Sequence, residues 1–207
     1  MEIIRYYFPS LTEEQISRIE HLKKLYQQWN QKINLVSRKD INQILIRHIL
    51  HSLSIHKIFH IKRDLKVLDA GTGGGLPGLP LAICNPENEF TLIDSTEKKI
   101  RVVENMIFEL GINNVKTIHE RLEHHKEKYD LITARAVKNL PVFLNWTKSN
   151  IRKNFNDSPN GILYLKGGDI EDELKKITKK YIYIYLLNEY FDEEYFETKK
   201  LVHIYGF

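Results

Sequence analysis

Between Val67 and Gly78 the chain reads Val-Leu-Asp-Ala-Gly-Thr-Gly-Gly-Gly-Leu-Pro-Gly, an apolar run that ends in an acid, breaks into glycines and then meets a proline. Glycine tolerates positive φ and lacks Cβ, so a ligand can lie directly against the backbone of such a loop. A helix starting behind it offers free N–H groups and the positive end of its dipole. The chemistry on offer is the binding of a nucleotide-like ligand. Gly73, Gly75 and Gly78 satisfy the dinucleotide pattern G-x-G-x-x-G, but Asp69-x-Gly71-x-Gly73-x-Gly75 is present as well. A carboxylate beside the loop suits a ligand carrying ammonium and sulfonium charges better than a pyrophosphate. Residues 90–94 read as a short buried strand ending in a second acid, Asp94, 23 positions past Gly71. That is near the roughly 20-residue spacing of a carboxylate that grips ribose hydroxyls. Such an acid serves NAD and S-adenosylmethionine alike, so the choice stays open at this point.

The elements that must hold these residues follow from periodicity. Thr12-x-x-Gln15 is a capping-box pattern, and Ile16, Ile19, Leu22, Tyr26, Trp29 and Ile33 recur at helical steps. Asp40 is placed to cap a second helix running through Phe59. From Leu65 onward strands near 66–70, 90–94, 115–119, 129–134 and 161–166 alternate with helices near 77–84, 96–110 (closed by Gly111) and 139–153. This alternation predicts a parallel sheet flanked by helices. Residues 157–161 form a turn cluster. A helix near 169–180 precedes two β-rich segments, 181–187 and 201–205, which lack a helix between them and should pair antiparallel. The expected fold is α/β and Rossmann-like, a mostly parallel sheet with an antiparallel final strand. Residues 1–60 form a helical N-terminal extension and 61–207 the sheet domain. A reversed last strand favours the methyltransferase version of this plan, since dinucleotide folds are usually fully parallel.

Composition excludes little beyond extremes. Hydrophobic residues make up 42% and charged residues 28%, as in an ordinary globule. No apolar run approaches the roughly 18 residues needed to span a bilayer, and no signal-peptide layout is present. One cysteine rules out an intrachain disulfide and a cysteine metal cage. A cytoplasmic protein is expected. Residues 1–156 carry a balance of +7 and residues 157–207 one of −3, which is compatible with a polyanionic partner without requiring one.

Several phrases occur in order: Trp29-Asn30-x-x-x-Asn34-Leu35, His48-x-x-x-Ser52-Leu53, the Gly71–Gly78 loop continuing into Pro80-Leu81-Ala82-Ile83, Asp94-Ser95-x-x-Lys98-Lys99, Thr133-Ala134-Arg135-Ala136 and Leu165-Lys166-Gly167. Together, over roughly residues 25–168, they resemble the bacterial small-subunit ribosomal RNA methyltransferase G family, also called glucose-inhibited division protein B. The resemblance implies a class I S-adenosylmethionine-dependent methyltransferase fold. It also implies methyl transfer to N7 of a guanine in 16S rRNA, as naked RNA, small subunit or assembly intermediate. The family's cofactor contacts carried over fall on Gly71, Leu76, Leu122, Glu123 and Arg135, joining Asp69, Gly73, Gly75 and Asp94 from the loop pattern. Two positions depart from the family: His51 stands where an acid is common, and Leu122 where alanine is frequent.

Guanine N7 presents an in-plane lone pair and no proton, so no general base is expected; orientation is the task. Accordingly there is no Asn/Asp-Pro-Pro-aromatic motif after the fourth strand and no Pro-Cys nucleophile. Cys84 is expected to be a packing residue. Arg135 and Lys166 fall at the carboxyl edge of the sheet, where ligands bind, and are the expected positioning groups. Arg38, Arg47 and Asn34, with the neighbouring Trp29 assigned to the core, are the expected RNA contacts. Nine histidines raise the question of a metal, but neither His48/His51 nor His124/His125 comes with further ligands, so none is expected. No membrane partner is expected, and a monomer is. The alternatives are an S-adenosylmethionine-dependent small-molecule methyltransferase, a silent RNA-binding module and a dinucleotide oxidoreductase.

Overall fold

Apolar runs of strand and helix period fold into one seven-stranded sheet in the computed structural model, which describes residues 1–37, 39–152, 160–178 and 180–207. The strands are β1 (Lys66–Ala70), β2 (Glu89–Asp94), β3 (Val115–His119), β4 (Leu131–Arg135), β5 (Gly161–Gly167), β6 (Tyr181–Leu186) and β7 (Lys199–Tyr205). Their order is β3-β2-β1-β4-β5-β7-β6. The first five run parallel, and β7 lies antiparallel to both β5 and β6. The reversed strand is thus next to the edge rather than at it, because the 181–186 segment takes the outer position. The arrangement is that of class I methyltransferases. The strand order reverses between β1 and β4, the switch point at which α/β sheets bind ligands beyond the strands' carboxyl ends.

Pleating sorts the core into two layers. Val67, Phe90, Leu92, Leu131 and Leu163 join one apolar cluster with α1 (Glu2–Tyr7), α2 (Glu13–Trp29), α3 (His51–Ile58), α4 (Gly78–Cys84) and α5 (Glu97–Leu110). Leu68, Ile93, Ile132, Ile162 and Tyr164 join the other with Leu140 and Phe143 of α6 (Leu140–Thr147). The N-terminal helices therefore share a core with the sheet. The Thr12/Gln15 capping box forms, and Gly111 closes α5 at φ 59°. Trp29 is half-buried against this core with Lys32 over its ring, and Cys84 is buried.

Three helices differ from expectation. Residues 40–59 form a 3-10 turn (Ile41–Gln43), a wide π-type turn (Leu45–Leu50) and α3, because the Asp40 side chain pairs with Arg47 instead of capping a helix. The helix expected over 139–153 stops at Thr147, with a 3-10 turn after it. Buried Asn150 there donates to the carbonyls of His125 and Glu127 and turns the chain. The helix expected over 169–180 is only α7 (Glu171–Leu174), as Ile177 leaves the helical path to pack on the second cluster. Most of the expected turn at 157–161 lies outside the described residues. Among the described residues no helix is long and apolar enough to cross a membrane.

Candidate active site

The loop after β1 holds its shape through two carboxylates. Asp69 is fully buried and its Oδ2 accepts from Gly78 N (2.9 Å) and Thr72 Oγ1, while Thr133 Oγ1 approaches Oδ1 (3.3 Å). Burial pushes this carboxyl up to about 6, against the pull of those hydrogen bonds. Asp94 Oδ2 accepts from Gly73 N (2.8 Å) and Oδ1 from Thr96 N (2.8 Å). The N-terminal extension braces the same loop, as Tyr26 Oη donates to Gly74 O (2.8 Å) and Leu35 packs where a Cβ on Gly74 would stand.

Above this loop, at the carboxyl ends of β1, β2 and β4, lies a cavity of about 450 Å³. Gly71, Asp94, Leu122, Glu123 and Arg135 line it, together with Ser95, Arg121 and Trp146. Its size lies in the ordinary range for small-ligand sites. Asp69, Gly73, Gly75 and Leu76 are not on its wall: Asp69 and Leu76 are buried, and a Cβ on Gly75 would meet Leu79 and the Tyr26 hydroxyl. These residues shape the loop from behind. Gly73 is different, since at φ 57° a Cβ there would find only Lys99 Nζ, at 4.0 Å. Leu122 is buried and belongs to the apolar cluster of Ile93 and Leu140, so its bulk is absorbed by packing.

Arg135 is half-buried at the end of β4. Its Nη2 lies 2.9 Å from His48 Nδ1. Burial lowers its pKa from the usual value, against the pull of Tyr195, Tyr26, Asp69 and Asp40, and among the described residues no carboxylate forms an ion pair with it. Burial, and then the neighbouring Arg135, hold His48 down at about 3, so its ring is neutral. His51 is likewise driven well below its usual range by burial, and its Nδ1 lies 3.1 Å from Tyr195 Oη. Among the described residues no three His, Cys, Asp or Glu side chains gather as metal ligands would.

The expected peripheral contacts fare unevenly. Arg47 is not free to face a partner: Nη1 pairs with Asp40 Oδ1 (2.6 Å) and the guanidinium lies 5.8 Å from the Tyr195 ring centre. Lys166 is neither solvated nor at the cavity, being ion-paired with Glu173 (3.0 Å) over the Tyr164 ring because α7 folds back onto the end of β5. Asn34 is exposed, and Arg38 lies outside the described residues. Trp146 and Arg121 on the cavity wall and the His48 contact were not expected from the sequence. Only His48 stood in a quoted phrase, while Ala136, beside Arg135, adopts φ 54°, a conformation that alanine rarely takes.

The donor and acceptor set fits an adenosine with a charged amino-acid tail. Asp94 retains acceptor capacity for a diol after its two backbone bonds, Gly73 leaves space a Cβ would fill, and Arg135 lacks an anionic partner among the described residues. The family model described as rRNA small subunit methyltransferase G matches residues 15–198. Ribosomal RNA small subunit methyltransferase G of Christiangramia forsetii is 50% identical over 99% of this chain and 96% of its own, and that of Cytophaga hutchinsonii 47% identical over 100% of both. Solved structures share the fold at low identity. Ribosomal protein L11 methylase of Lactobacillus delbrueckii subsp. bulgaricus aligns with TM-score 0.54 at 16% identity, covering 75% of each chain. A mutant of MtNAS in complex with S-adenosylmethionine aligns with TM-score 0.57 at 12% identity, over 98% of this chain and 75% of the other. With a seven-stranded sheet of this topology, a loop and acid pair of this geometry and full-length identity near one half, the chain belongs to the rRNA small subunit methyltransferase G family of S-adenosylmethionine-dependent enzymes.

Proposed function

We propose that this protein transfers the methyl group of S-adenosylmethionine to N7 of a guanine in 16S rRNA. The observation that carries the reading is the cavity at the carboxyl ends of β1, β2 and β4, walled by Gly71, Asp94, Glu123 and Arg135 in a chain of this family. When bound, the cofactor supplies a methyl group on a sulfonium, already activated for in-line displacement. Asp94 holds the ribose hydroxyls, Leu122 and Glu123 flank the adenine, and Arg135 meets the carboxylate of the amino-acid tail. Gly71, Gly73, Gly75 and Leu76 supply the loop, and Asp69 fixes its course. The acceptor nitrogen has no proton to lose, so the chain needs no general base; its residues orient and exclude water.

The 1–60 extension faces the RNA, with Asn34 and Arg38 in contact with it, while Arg47 stays paired with Asp40. Lys166 acts indirectly, by holding α7 at the end of β5. The enzyme works as a monomer, without a metal, in the cytoplasm, on small-subunit RNA or an assembling particle. Incubation with tritiated S-adenosylmethionine and 16S RNA lacking the modification should label a guanine at N7, read by nuclease mapping. Label on another atom or base, or none, refutes the assignment.

A further inference from the structure

Ser52 Oγ donates to the carbonyl of His48 (2.7 Å) and so pins the backbone from which the His48 ring reaches Arg135. We propose that His48 is a positioning residue: its Nδ1 lone pair holds the Arg135 guanidinium in the orientation that meets the cofactor's carboxylate, an inference that rests on Arg135 being that contact. A guanidinium has only donors, so Nδ1 must be the acceptor and the ring proton sits on Nε2. That Nε2 is buried with no hydrogen-bond partner and lies 3.9 Å from Asp40 Oδ2, whose other oxygen is taken by Arg47 Nη1 at 2.6 Å. The tautomer is thus set by the Arg135 donor alone, with the Nε2 proton turned toward the Asp40 side without a hydrogen bond.

The choice of a neutral partner has a physical reason. A carboxylate in the place of His48 would take the guanidinium in a bidentate pair and compete with the ligand's own carboxylate. An imidazole nitrogen fixes the same side chain with a single bond and leaves its charge unspent. Arginine otherwise has many rotamers to lose when the ligand arrives, and pre-orientation removes that cost from binding. The wide turn at Leu45–Leu50 carries His48, and so brings the N-terminal extension to the cofactor edge.

Calorimetry with two probes tests this: S-adenosylhomocysteine, which has the amino-acid tail, and methylthioadenosine, which lacks it. Arg135→Ala and His48→Ala should each weaken S-adenosylhomocysteine about tenfold or more, the worth of a charged hydrogen bond, and leave methylthioadenosine within about twofold. His48→Asn, whose amide oxygen can stand where Nδ1 stands, should recover most of the loss. His48→Gln keeps polar bulk with the oxygen displaced toward Nε2; it should show the loss of the alanine variant and reads the effect should that variant not fold. If Arg135→Ala shows the selective loss and the His48 variants do not, the positioning role is wrong and the Arg135 contact stands. If Arg135→Ala shows none, both are wrong. Equal weakening of the two probes by His48→Ala, or no recovery with asparagine, marks a structural role and overturns the proposal.

Discussion

Asp69 and Asp94 sit on neighbouring parallel strands, and each accepts a backbone N–H from the glycine loop, Asp69 from Gly78 and Asp94 from Gly73. Their surroundings divide their work. Asp69 is fully buried and also engages Thr72 and Thr133, so its lone pairs are spent inside the protein. Asp94 stands on the cavity wall with acceptor capacity left over. Two acids that look alike in the sequence are thus a buried strut and a group on the cavity wall. Depth at the sheet edge decides which is which.

The sharpest way to break this distinction is to remove each acid. Asp69→Ala leaves buried donors without an acceptor and should cost about 3 kcal/mol of stability in urea unfolding. Asp94→Ala should cost less than about 1.5 kcal/mol of stability, yet weaken S-adenosylhomocysteine at least tenfold by calorimetry. Equal stability losses would erase the contrast. The glycines on the two acids sharpen it next. On Gly78 a Cβ would stand 2.7 Å from Asp69 Oδ2 and 2.9 Å from Leu92, so Gly78→Ala should destabilise by about 1–3 kcal/mol. Gly73→Ala meets open space, so its cost is about 1–2 kcal/mol of left-handed backbone strain together with a loss of cofactor binding.

The smallest effect is in pH. His48 is held near 3 when folded against about 6.5 unfolded, so below 6.5 the unfolded chain binds the extra proton. Its contribution is complete above pH 6.5 and lost as pH falls toward 3. Asp69 has the opposite sign, because its raised value disfavours the fold as pH climbs from about 4 through about 6. Comparing wild type with His48→Asn isolates the histidine: between pH 7 and pH 5 the wild type should lose about 1–2 kcal/mol more than the variant in urea unfolding.

Legibility in the sequence followed how local the cause was. Strands buried on both faces, such as residues 66–70 and 161–167, carry their own apolar runs and were readable within a residue or two. So was the glycine loop with its two acids, whose spacing is a property of adjacent chain. What could not be read depends on distant partners. Asp40 looks like a cap until Arg47 takes it, Asn150 stops a helix by satisfying carbonyls of residues 125 and 127, and Lys166 turns inward only because Glu173 folds back to it. Arg135 was readable as an edge residue, whereas its bond to His48 spans 87 positions.

The position of β7 between β5 and β6 has a consequence for assembly. Among the described residues β6 pairs with no strand but β7, and β7 alone links it to β5. Tyr181–Leu186 therefore joins the sheet only through Lys199–Tyr205, although it comes first in the chain. Losing the pairing of β7 would leave a tyrosine-rich strand with both backbone edges unmatched, open to association with other chains.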